Sequence, residues 1–176
     1  MDDVATRNPI LANLFGLNMW ANLALIDACA ALGPAQLEVS VLGISGTIRA
    51  ELWRIITVEQ DLLAALTGEA DAGQARHAGS PDGELSTLRV CALDAGEGLI
   101  AWAESVDGDP IVDGKWGERS YRAPASVFAG EALLDAAERR GRIQAALASA
   151  GIAPPNLTAR AWWESLQAVG MESATI

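Results

Sequence analysis

The stretch GTIRAELWRIITVEQDLLAAL, residues 46–66, decides the fold class. Ile48, Leu52, Ile55, Ile56, Leu62, Leu63 and Leu66 fall on one stripe of a 3.6-residue wheel, which predicts an amphipathic helix. Ser45 or Thr47 is placed to cap its first turn, and Thr67-Gly68 supplies its stop. Glu59 falls near the middle of the apolar stripe, where a carboxylate is costly unless it is hydrogen-bonded or paired.

Reading outward, an earlier helix is predicted over Asn8–Leu32, with Pro9 in its first turn and Gly33-Pro34 as its end. Its apolar face is read as Ile10, Leu14, Leu17, Ala21, Ala24, Leu25 and Ala28. Residues 34–43 form a connector, and the Gly-, Ala-, Asp- and Ser-rich segment Glu69–Gly83 reads as a surface loop. A third helix is expected over Leu85–Val106, weakened by Gly96 and Gly98. After the turn signal Asp107-Gly108-Asp109-Pro110, Ile111-Val112 pairs with Ser120-Tyr121-Arg122 as a small hairpin around Asp113-Gly114. A fourth helix runs from Pro124 or Ala125 to Ala150, with Leu133, Leu134, Ala137, Ile143, Ala146 and Leu147 as its apolar contacts. A tail helix from Thr158 to about Val169 docks Trp162 or Trp163. Four long amphipathic helices hide their stripes on one another most simply as a bundle. The expected architecture is all-α: a four-helix bundle with a minor hairpin insertion and a short C-terminal helix, one domain over residues 1–176.

The 176 residues suit one domain with a substantial core, and a hydrophobic content of 51% excludes a disordered chain. The 12 basic against 23 acidic residues give a formal charge of −11, which repels phosphate polyanions and anionic bilayers. Lys115 is the only lysine, and no basic strip with interleaved aromatics runs along the chain, so nucleic acid is not expected as a partner. Met1–Pro9 is acidic and lacks the pattern of a leader, and no apolar run reaches spanning length, so a cytoplasmic protein without a membrane partner is expected. Cys29 and Cys91 have apolar neighbours and read as buried free thiols. His77 is the sole histidine and lies in the predicted loop, so no Ser/His/Asp or Cys/His set can be assembled. GISGT at 43–47 lacks the spacing and the strand-to-helix context of a nucleophile elbow, and no P-loop or dinucleotide fingerprint is present.

Four segments, in order, resemble the DinB/YfiT-like family across nearly the whole chain. LFGLNMWANLALIDACAAL (14–32) is similar to the family's opening helix, with Asn18-Met19-Trp20-Ala21-Asn22 in place of its Asn-x-x-Trp-Ala-Asn-like run. The stretch at 46–66, with Glu59-Gln60, resembles the second helix. RRGRIQAALASAG (139–151) resembles the His-Arg-Gly-Gln-Ile signature, and PPNLTARAWWE (154–164) the closing tail. The resemblance implies a divalent metal held by three histidines, one on the second helix and two spaced by four on the fourth. Here those positions carry Arg54, Asp135 and Arg139. A guanidinium stays protonated and offers no lone pair, so no metal cofactor is expected.

Asp135 and Arg139 stand in the favoured i, i+4 order for a helical ion pair. If Arg54 faces them, as its family position implies, the three form a charge cluster. Its plainer reading is a self-neutralising network joined by Glu51 or Glu59 that keeps bundle register. Its sharper reading is a pair of arginines that binds the carboxylate or phosphate of a small anionic ligand, with Trp20 and Asn22 at the mouth. The function expected is therefore a metal-free relative that binds a small anion or has lost catalysis. The resemblance also implies an enzymatic alternative, transfer or isomerisation with a low-molecular-weight thiol such as mycothiol or bacillithiol. A third alternative is a non-enzymatic homodimer.

Overall fold

The computed structural model describes residues 8–40, 46–69, 84–116 and 119–173. Among them are six helices and one two-stranded antiparallel sheet: α1 (Pro9–Ala30), α2 (Pro34–Leu37), α3 (Ile48–Thr67), α4 (Leu85–Ser105), β1 (Ile111–Trp116), β2 (Arg119–Pro124), α5 (Ala125–Ser149) and α6 (Ala159–Ser173). The all-helical expectation with a hairpin holds. The predicted loop with His77 and the alternative cap Ser45 lie outside the described residues.

Local chemistry sets the helix ends. Asn8 Oδ1 accepts from the Leu11 amide and Pro9 opens α1, while Thr47 Oγ1 accepts from the Ala50 amide at the start of α3. Gly68, at φ 73°, ends α3 in the left-handed conformation that glycine adopts without a Cβ penalty. The short α2 sits inside the expected connector. At the start of α5 no local side chain caps the helix. Asp109 takes that role across the hairpin, accepting from the Ser126 amide at 2.9 Å, and the Pro110 carbonyl accepts from the Ala125 amide at 2.8 Å.

Helix α1 packs most extensively on α4, α3 packs on both α4 and α5, and α5 also touches α1. The core has two parts. One gathers Leu25, Ile26, Cys29, Leu52, Ile55, Ile56, Leu88, Ile143 and Leu147, and the other Phe15, Leu62, Leu63, Leu66, Leu99 and Phe128. The mid-helix glycines of α4 belong to this packing. A Cβ on Gly96 would stand 2.5 Å from Met19 Cγ, and one on Gly98 2.6 Å from Leu63 Cδ2.

Four sequence expectations are corrected. The inward face of α1 is Ala12, Phe15, Asn18, Ala21, Asn22, Leu25, Ile26 and Cys29, whereas Ile10 and Leu14 are exposed. Apolar residues surround this helix on all sides, so periodicity could not phase it; two asparagines turned inward do. On α5, Leu134 is 70% exposed and the inner face is alanine-rich, with Ala129, Ala132, Ala136 and Ala146. Asp113-Gly114 is not the hairpin turn, because it lies within β1 opposite Arg122 and Tyr121. Gly114 is needed there because a Cβ would meet Phe128 Cε1 at 2.6 Å. Of the two candidate docking residues, Trp162 is half-buried over Gly16 of α1 and Trp163 is 59% exposed. Cys29 is buried as expected, while Cys91 is only half-buried at the edge of the core.

Candidate functional site

Two adjacent polar clusters interrupt this apolar interior, and consecutive arginines of α5 serve them. Neighbouring residues on a helix project about 100° apart. Arg139 therefore reaches α3 and Arg140 reaches α1.

In the first cluster Arg139 Nε donates to Asp135 Oδ2 at 2.7 Å, and Arg139 Nη1 donates to Glu51 Oε2 at 2.5 Å. The Arg139 and Glu51 side chains are 13% and 7% exposed. Glu51 lies in the first turn of α3, where a carboxylate also faces the helix's positive end. Gly46 leaves room for it, since a Cβ there would approach Glu51 Oε1 to 3.1 Å. The hydrogen bond donated to Asp135, opposed by burial and assisted by Glu51, holds the Arg139 guanidinium above its usual range. Two carboxylates on one guanidinium leave the cluster with one net negative charge.

The second cluster is a buried tetrad from three helices. Asn18 Nδ2 and Asn22 Nδ2 of α1 both donate to Glu59 Oε1 of α3, at 2.5 and 2.6 Å. Their carbonyl oxygens both accept from Arg140 Nη1 of α5, at 2.7 and 2.6 Å. Each asparagine thus spans an acid and a base with its amide dipole aligned between them. Asn18, Asn22 and Glu59 are 4%, 2% and 2% exposed, and Glu59 Oε2 is buried with no hydrogen-bond partner among the described residues. Burial pushes the Glu59 carboxyl up to about 7, against the two asparagine hydrogen bonds and the Arg140 charge, which favour ionisation. Burial also lowers the Arg140 pKa, against the attraction of Glu59. A neighbouring interstice lined by Asn22, Leu25, Ile26, Leu52, Ile55 and Ile56 has no room for a water molecule.

Of the six residues singled out from the sequence, the structure joins Asp135 with Arg139 and Asn22 with Glu59. Arg54 is a correction: it is exposed and makes no ion pair among the described residues, and the carboxylate facing Arg139 from α3 is Glu51, one turn earlier. Trp20 is a second correction, since it lies about 200° round α1 from both Asn18 and Asn22 and does not line a mouth with them. Sequence reasoning passed over Asn18 and Arg140 as site residues. Their signal was present: Asn18 and Asn22 stand four apart in a largely apolar helix whose other polar side chains are Asn13 and Asp27, and Arg140 lies four after Ala136 and three before Ile143, on the buried face of α5.

The donor set does not fit a metal ion. Arg139 is a cation already held by two carboxylates, and among the described residues no group of three or more His, Cys, Asp or Glu side chains could hold one. Comparison with protein-family models and with curated proteins found no match for this chain.

Proposed function

We propose that the chain is a metal-free relative of the DinB/YfiT-like four-helix bundles, catalytically degenerate at the family's metal site. The observation that carries this reading is the Glu51–Arg139–Asp135 cluster, in which two of the three implied ligand positions take part in ion pairs between and within helices. The pairwise packing of α1, α3, α4 and α5 supports the bundle, and the family's segment order places α3 and α5 as its second and fourth helices. Of the two outcomes expected for such a relative, loss of catalysis is better supported than binding of a small anion. An incoming carboxylate would meet an Arg139 already flanked by Glu51 and Asp135, in a cluster that is net negative. Thiol transfer gains no support from Arg139 either, because its positive charge is already offset by two carboxylates.

The test is metal analysis of the purified protein, followed by calorimetric titration with zinc, nickel, inorganic phosphate, simple dicarboxylates and low-molecular-weight thiols. No stoichiometric metal and no heat at ligand concentrations of about 1 mM, where a binding free energy of about −4 kcal/mol would register, are the expected results. One equivalent of zinc that is lost in Asp135→Ala would overturn the reading.

A further inference from the structure

The tetrad has a feature that holding three helices together does not require. Both asparagine amides converge on one oxygen of Glu59, and the other oxygen is buried without a donor among the described residues. An ionised carboxylate spreads its charge over both oxygens and calls for donors on each. A neutral carboxylic acid concentrates acceptor strength on its carbonyl oxygen, which has two lone pairs for two amides, and its hydroxyl oxygen needs less. The geometry fits the acid with its carbonyl at Oε1 and its proton on Oε2. An unpaired buried hydroxyl is unfavourable, and a buried charge on an oxygen without a donor is more so.

We propose that Asn18, Asn22, Glu59 and Arg140 form a proton-gated lock between α1, α3 and α5, closed when Glu59 carries its proton and loosened when that proton passes to solvent. Arg140 is the charged group facing Glu59, and it comes from α5. Helix α1 presents the two asparagines and apolar residues, and its Asp27 is exposed and paired with Arg89. Helix α4 turns Leu88, Ala92, Ala95, Gly96 and Leu99 inward, while its Asp94 and Glu97 are exposed. On α3 itself Glu51 is paired with Arg139 two turns away, and Asp61 is exposed. The two asparagine hydrogen bonds and the Arg140 charge together oppose the burial of Glu59, and the balance falls near neutral pH, where small changes in acidity move it.

The sign follows from linkage. A carboxyl whose folded pKa lies above its unfolded value binds its proton more tightly in the folded state, so its contribution to stability is present at low pH and is lost as pH rises through the folded value. With values of about 7 and 4.5, the unfolding equilibrium constant should rise roughly 30-fold between about pH 5.5 and pH 8.5 through this group alone. In Glu59→Gln the side-chain oxygen still accepts both amides and no proton can be lost, so that increment should vanish. The experiment is urea unfolding of the full chain and of E59Q across that range, together with the carbon-13 titration of the Glu59 carboxyl in the unsubstituted protein. A carboxyl midpoint near neutrality and a steeper pH dependence than in E59Q are expected. Equal pH profiles for the two proteins, or a carboxyl that titrates in the ordinary acidic range, overturn the proposal. If E59Q does not fold, the carboxyl titration decides alone.

Discussion

Arg140→Met tests the interior network most directly, because methionine keeps much of the apolar stem and removes only the guanidinium. The arginine donates to two asparagine oxygens that are otherwise buried, at 2.7 and 2.6 Å. Hydrogen bonds from a charged donor contribute about 1.5–3 kcal/mol each, and breaking a buried charged network by removing one member costs about 3–5 kcal/mol in total. A loss of about 3–4 kcal/mol is therefore expected near pH 5.5, where Glu59 is largely protonated. At pH 8.5 the loss should be larger. The substitution removes the charge that favours ionised Glu59, so the folded pKa of Glu59 rises further, and each unit of rise deepens the loss at high pH by up to about 1.4 kcal/mol. Urea unfolding at both pH values, followed by tryptophan fluorescence, measures this, and a double-mutant cycle with E59Q isolates the coupling. A loss below about 1 kcal/mol at both pH values, or the same loss at both, would refute the reasoning.

Three other outcomes are expected. Gly96→Ala should destabilise the fold by about 1–2 kcal/mol in thermal unfolding although alanine is the better helix former, because the new methyl meets Met19 near the root of its side chain; a stabilised variant would show that α1 and α4 are less tightly apposed. Burial pushes the Cys29 thiol up to about 11, so in the native protein at pH 8 it should resist a thiol reagent that modifies half-buried Cys91, and equal rates for the two would contradict the packing of α1. Asp109→Ala should cost about 0.5–2 kcal/mol and speed amide exchange in the first turn of α5, with unchanged exchange there counting against the cap.

How much of this was legible depended on whether one local signal dominated. The ends of α3 were readable because Thr47 and Gly68 each do a job that few residues do well, and its stripe was readable because polar residues flank it. The rotation of α1 was not, since Ile10, Leu14 and Leu17 look as suited to a core as Phe15 and Leu25, and the asparagines that fix it have a meaning only once Glu59 and Arg140 are opposite. The turn assigned to Asp113-Gly114 failed for a related reason: glycine serves both tight turns and close approach, and only the position of Phe128 tells them apart. In the site, the Asp135–Arg139 pair followed from helical spacing alone. Arg54 was placed by resemblance rather than by its own environment, and Glu51, which does reach Arg139, was read only as an optional contributor.

The clamp at the foot of the hairpin changes what a broken backbone would mean for this protein. Asp109 holds Ser126 and the Pro110 carbonyl holds Ala125, so the chain leaves and rejoins the helical body through a gate bolted by its own hydrogen bonds. A single cut between β1 and β2 would leave both stumps fastened where they stand, with α5 still seated on its neighbours. New chain ends opened at that connection, or a foreign peptide spliced into it, are therefore expected to leave the helices assembled, with thermal unfolding of the altered chain as the check.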